Sequence, residues 1–208
     1  MKIIANSCIG AFLYKMLNIP YNTPFMWSAI WADDFINLIS YFDNLNFDNI
    51  ELSEYQLNDK EKCYSVILDG IIKIQYTHYK FWPFPRKVIG NDLLDNNIDK
   101  YTLEVFKERT KRMFESKESP TFLILGNMHN VPGYNLRFDT YNLQNLIRIC
   151  EIKTRYKICI ITHSRELLNY ASDRVKIIID DHPKNLGYWG TEQFANLYKE
   201  QIVEFSNE

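Results

Sequence analysis

The 208-residue chain has little of what marks several protein classes: 4 cysteines, 7 glycines, 7 prolines and no excess of charge, with 24 Lys plus Arg against 26 Asp plus Glu for a formal net charge of -2. Near balance leaves no protein-wide field to draw in a polyanion, which argues against a dedicated DNA or RNA binder and leaves room only for a local phosphate site. No apolar run reaches the roughly 18 residues that cross a bilayer, so no membrane span is expected. Cys8, Cys63, Cys150 and Cys159 lack metal-type pairing, and three of them sit in apolar segments, so reduced thiols in a cytoplasm are expected. Zinc-type ligand spacing, a P-loop and a dinucleotide-binding glycine fingerprint are all absent, which removes kinase, GTPase and dehydrogenase readings and predicts no metal site. With no internal repeat, low-complexity tract or linker, residues 1–208 read as a single domain.

What is present favours a large core: 46% of residues are hydrophobic, with 13 Phe, 14 Tyr and 4 Trp to fill it. The apolar N-terminus is interrupted by Asn6 and Ser7 and followed by Lys15, so it reads as a first strand and helix and not as a signal peptide. Runs rich in β-branched residues recur at Lys2 to Ala5, Tyr64 to Leu68, Ile71 to Tyr76, Thr121 to Leu125, Lys157 to Ile161 and Val175 to Ile179, nearly continuous as in strands buried on both faces. Helical spacing appears around Phe12 to Leu17, Phe35 to Phe42, Leu103 to Phe114, Leu143 to Cys150 and Phe194 to Phe205. The alternation predicts an α/β fold, three-layered with a mainly parallel, Rossmann-like sheet, and Asp69-Gly70 predicts one antiparallel hairpin. The Asn- and Asp-rich stretch Ile89 to Lys100 is expected to be a loop or lid.

Cys8 and the four histidines, His78, His129, His163 and His182, each follow an apolar strand pattern closely. In open α/β sheets ligands bind outside the carboxyl ends of the strands, so these groups are candidates for one rim. Cys8 lies in Asn6-Ser7-Cys8-Ile9-Gly10 between strand and helix, where helix N–H groups favour a thiolate and hold an oxyanion, and where Gly10 would let a ligand approach. The plainer reading is a small residue packing a tight turn, with Asn6 or Ser7 capping the helix. His78 is a candidate base for Cys8, and the aromatic run after it, with Trp82, a candidate cleft wall. Asp180 stands two residues before His182, as an acid that orients an imidazole would, and Asn127 follows another strand among amides suited to an oxyanion. A helix cap, a proline turn and an Asn-rich loop are the plainer readings of those segments.

Three families share parts of this pattern. Asn6-Ser7-Cys8-Ile9-Gly10, Pro20-Tyr21-Asn22-Thr23-Pro24-Phe25, Asp34-Phe35-Ile36 and His78-Tyr79-Lys80 resemble a bacterial exopolysaccharide-biosynthesis family, a domain of unknown function, over roughly the first 80 residues. The cysteine after the first strand, Pro24-Phe25 with Trp27, a strand leading to histidine, and Lys100-Tyr101 before a helix with Arg109 and Arg112 are similar to predicted papain-like cysteine peptidases, although Met26 and Tyr79 stand where that pattern has acids. Asp180-Asp181-His182-Pro183 with Gly187-Tyr188 resembles the last block of serine esterases with Ser, Gly, Asn and His motifs, although Ile179 stands at the usual acid position. The first two resemblances imply a thiol-dependent site with Cys8 as nucleophile and His78 as partner. The third implies Ser7 or Cys8 as nucleophile and Asn127 as oxyanion donor.

Together these point to acyl transfer, by an acyltransferase or a hydrolase, on a cell-surface polysaccharide or its precursor. Catalytic candidates are Cys8, His78, His182 and Asp180; substrate-binding candidates are Asn6, Ser7, Gly10, Trp27, Trp82 and Asn127. A coenzyme A thioester is one donor this chemistry could use, with Arg86, Arg109 or Arg112 meeting its phosphates. The expected partner is a glycan or small molecule, and the competing reading is a non-catalytic glycan-binding or assembly protein.

Overall fold

The computed structural model describes residues 1–58, 61–76, 98–126, 138–153, 155–182 and 191–208. In chain order the elements are β1 (Lys2–Ala5), α1 (Ile9–Met16), β2 (Ala29–Ile30), α2 (Ala32–Tyr41), β3 (Ile50–Asn58), β4 (Glu61–Leu68), β5 (Ile72–Tyr76), α3 (Ile98–Glu115), β6 (Pro120–Leu125), α4 (Thr140–Ile152), β7 (Lys157–Thr162), a 3-10 helix (Arg165–Tyr170), β8 (Val175–Ile179) and α5 (Glu192–Asn207). The start of α3 takes Ile98 to Lys100 out of the expected loop; the rest of that stretch, from 89 to 97, lies outside the described residues.

The fold is α/β. β1, β6, β7 and β8 form a parallel sheet in the order β1-β6-β7-β8. Side chains alternate along each strand, and each alternate set meets its own helices. Ile3, Ala5, Leu123, Leu125, Cys159 and Ile161 pack with α1 and α5. Ile4, Phe122, Ile124, Ile158 and Ile160 pack with α2 and α4. Burial on both faces is why these strands carry almost no polar residues.

The antiparallel part is larger than one hairpin. β2, β5, β4 and β3 form a second four-stranded sheet in that order. The expected turn joins β4 to β5: Asp69 and Gly70 have φ of 54° and 69°, the positive pair that a type I′ turn requires. Val66, Leu68, Ile72 and Ile74 of this sheet join the core made by α2 and α4, so one hydrophobic cluster runs through both sheets.

Asn6 joins the two sheets. It is fully buried, one residue past β1, and its side-chain amide imitates a peptide group. Leu125 N–H donates to Asn6 Oδ1 at 2.9 Å, and Asn6 Nδ2 donates to Leu125 O at 3.4 Å. Its backbone N–H donates to Leu123 O, while its backbone O accepts from Ile30 N–H of β2 at 3.1 Å. Asn6→Ala leaves the Leu125 N–H and C=O buried without these partners, a loss of about 2–6 kcal/mol at about 1–3 kcal/mol per buried group. Urea unfolding of the variant should show that loss as a lower midpoint.

Candidate functional site

All four parallel strands end on one rim, which carries Asn6 to Cys8 after β1, Gly126 after β6, Thr162 to Ser164 at the end of β7 and Asp180 to His182 after β8. Cys8, His163 and His182 therefore share the carboxyl edge, as their positions after strands predicted. His78, Trp82, Asn127 and His129 lie outside the described residues.

At the β8 end the rim is organised around one carboxylate. Asp180 is 1% exposed, fixed by its own N–H donating to Thr162 O at 2.9 Å. Its Oδ1 faces His182 Nδ1 at 2.8 Å and accepts from the His182 backbone N–H at 3.1 Å and the Tyr198 hydroxyl at 2.7 Å. With Oδ1 accepting, Nδ1 carries the imidazole proton and Nε2 is left as the basic nitrogen. The His182 side chain is 48% exposed, and its Nδ1 end is anchored on Asp180. His163 completes the group: its Nδ1 contacts Asp180 O, and its Nε2 lies 3.9 Å from Asp180 Oδ2. Asp181 points away, paired with Arg165 at 2.6 Å.

The spacing of Asp180 and His182 was visible in the sequence. His163 stood out only as a histidine after a strand, and Tyr198 only as part of the apolar pattern of α5. Their convergence on Asp180 comes from the pairing of β7 with β8 and the docking of α5.

At the β1 end, Cys8 is the N-cap of α1 with φ -62° and ψ -9°, its carbonyl accepting the first helical bond from Phe12 N–H. Burial of the half-buried thiol decides its protonation. It pushes the pKa from an ordinary 9.0 up to about 12, against a smaller downward pull from the backbone hydrogen bond. The expected thiolate is thus corrected: desolvation outweighs the helix terminus and the resting group is a thiol. Neither Asn6 nor a Cys8 side chain caps the helix; Ser7 Oγ accepts from Ile9 N–H at 3.5 Å. Gly10 has a packing role. A Cβ there would stand 3.0 Å from Ala5 Cβ, so the missing side chain lets α1 lie against β1.

Cys8 and His182 follow the two edge strands of the sheet, three strand spacings or roughly 14 Å apart. Trp27 is buried with φ 61°, edge-on to Phe12 at 5.0 Å between centroids, beside the α1 turn that carries Cys8. Of the arginines named for phosphates, Arg86 lies outside the described residues, while the Arg109 guanidinium lies 5.2 Å from the Tyr21 ring centroid and Arg112 Nη1 donates to Tyr21 O at 3.1 Å. Among the described residues, no three His, Cys, Asp or Glu side chains converge as a metal site, and no helix is long and apolar enough to cross a membrane.

This geometry defines a three-layer α/β protein with a candidate acid–base site on the carboxyl rim of its parallel sheet. Residues 1–83 match the model of a domain of unknown function (DUF1919), a stretch that contains Cys8, Trp27 and the antiparallel sheet but neither Asp180 nor His182. No curated protein matches the chain.

A buried thiol with a pKa of about 12 is a thousandfold poorer in thiolate than one at 9.0 at any pH well below both. Alkylation of Cys8 by iodoacetamide, followed by peptide mass at pH 7 to 9, should therefore be about a thousandfold slower than that of an exposed thiol and rise tenfold per pH unit. A rate near that of a free thiol at pH 7 would show a base acting on Cys8.

Proposed function

We propose that this protein is an acyl-transfer enzyme, an acyltransferase or hydrolase, in which His182 is the general base and Asp180 holds it. One observation carries the reading: a buried carboxylate on Nδ1 of the half-exposed His182 side chain at 2.8 Å. Nε2 takes the proton of an acceptor hydroxyl as that oxygen adds to the acyl carbonyl, and returns it to the leaving group when the tetrahedral adduct collapses. Asp180 keeps the tautomer, and Tyr198 keeps Asp180 in place. The substrate class, a cell-surface glycan or its precursor, rests on the resemblance carried by residues 6–10, 20–25, 34–36 and 78–80.

A second reading keeps Cys8 as nucleophile. What favours it is the position of the half-buried thiol at the start of α1, inside the stretch that matches the family model. It requires a base to remove the thiol proton in the substrate complex, because burial keeps that proton on.

Hydrolysis of p-nitrophenyl acetate separates the two. Under the His182 reading, His182→Gln should lower kcat by about a hundredfold to ten-thousandfold, the usual range for a general base. Asp180→Asn should fall in the same direction, and Cys8→Ala should keep most of the rate. An acetyl group trapped on Cys8, with Cys8→Ala inactive, would establish the second reading instead. Full activity in His182→Gln would remove the first.

A further inference from the structure

Around Cys8 the fold buries two complementary hydrogen-bonding atoms, neither with a partner among the described residues. Gln75 is 4% exposed, and its Oε1 meets no hydrogen-bond donor among the described residues. The Nε1–H of Trp31 is buried as well and meets no acceptor there. A buried unpaired carbonyl or indole N–H costs about 1–3 kcal/mol, and here one atom accepts and the other donates.

Register places both on the Cys8 side of the antiparallel sheet. Gln75 is the cross-strand partner of Ala29, and directly paired residues point to the same face. Ala29 packs in the cluster that contains Trp27 and against which Cys8, Phe12 and Trp31 lie. The neighbouring pair, Ile30 and Ile74, points the other way into the core shared with α2. Trp31 follows Ala29 by two residues in extended backbone, φ -67° and ψ 160°, so it returns to the Ala29 side about 7 Å further along. Ile30 N–H donates to Asn6 O, which holds this strand two residues from Cys8.

We propose that Trp31 Nε1–H and Gln75 Oε1, beside Cys8, form a binding subsite for a hydroxyl group of a polyhydroxylated ring, with Trp27 as part of its apolar wall. A hydroxyl oxygen accepts from the indole N–H while its proton is donated to the amide carbonyl, so one group satisfies both atoms. The C–H face of such a ring suits the indole surface, which is apolar in its body and polar at one edge. The subsite deepens the glycan reading above and rests on it only in taking the bound ring as substrate; binding itself is measured without turnover.

The test is saturation-transfer NMR on the full chain, with glucose, galactose, mannose and N-acetylglucosamine as probes. At least one sugar should receive saturation in the wild type, and binding should weaken about threefold to tenfold in Trp31→Phe and in Gln75→Met, the change expected for loss of one neutral hydrogen bond. Gln75→Met should also unfold at the same or higher urea concentration than the wild type, because an apolar group of similar shape removes a buried unpaired carbonyl. A glutamine with a purely structural role would move that midpoint down. Absence of transfer to all four sugars, as when ordered water alone fills the gap, overturns the proposal, and so does a lowered midpoint in Gln75→Met or unchanged binding in Trp31→Phe. Sugar binding that persists in His182→Gln while esterolysis is lost separates this subsite from the catalytic reading. Esterolysis without sugar binding would remove the subsite alone.

Discussion

The structure depends on one buried amide. Asn6 extends the pairing of β1 with β6 through its side chain and accepts from β2 through its backbone, so a single residue closes the parallel sheet at its edge and ties the antiparallel sheet to it. A hydrocarbon at this position would satisfy neither edge of Leu125, and a carboxylate would accept from its N–H but oppose its carbonyl. Everything at that end of the rim inherits its position from this joint. Ser7 and Cys8 are the next two residues, and the strand carrying Trp27, Ala29 and Trp31 is held by the other bond.

The thiol and the imidazole on this rim show two ways in which surroundings decide chemistry. At Cys8 the helix terminus and burial act in opposite directions. A helix end contributes about 0.3–1 kcal/mol at ordinary exposure, less than one pKa unit, whereas desolvation carries the thiol up from 9.0 to about 12. Burial prevails because a charged sulfur there would give up water and gain only the smaller pull of a backbone hydrogen bond. At Asp180 a buried carboxylate oxygen meets donors from two segments, its own loop and α5, while the Asp180 backbone N–H donates to the end of β7. The half-exposed His182 side chain is thereby held on its Nδ1 side.

The parallel sheet was legible because burial on both faces writes itself into sequence as unbroken apolar runs. β1 and β8 begin and end where Lys2 to Ala5 and Val175 to Ile179 predicted, and all five helices lie where apolar residues recur at helical spacing. β2 was not legible, since two residues cannot display a period. β3 was missed because its apolar residues break step between Leu52 and Tyr55, as an edge strand allows. With both hidden, a four-stranded sheet read as one hairpin. The site divided in the same way: Asp180 and His182 are neighbours in sequence, whereas Tyr198, Gln75 and Trp31 acquire meaning only from the strands and helices packed beside them.

The pairing of β1 with β6 also sets a condition on how the chain acquires its shape. Ile3 lies opposite Thr121 and Ile4 opposite Phe122, so β1 has no neighbour in the parallel sheet until β6, which follows α3 in the chain, has been made. Contacts this distant close slowly, because the loop entropy is lost before the pairing returns it. Until then the apolar faces of β1 and α1 need shelter, from a chaperone or from early collapse onto α2 and the antiparallel hairpins. The stretch that matches the family model ends at residue 83, before β6, so it does not contain the strand on which β1 pairs.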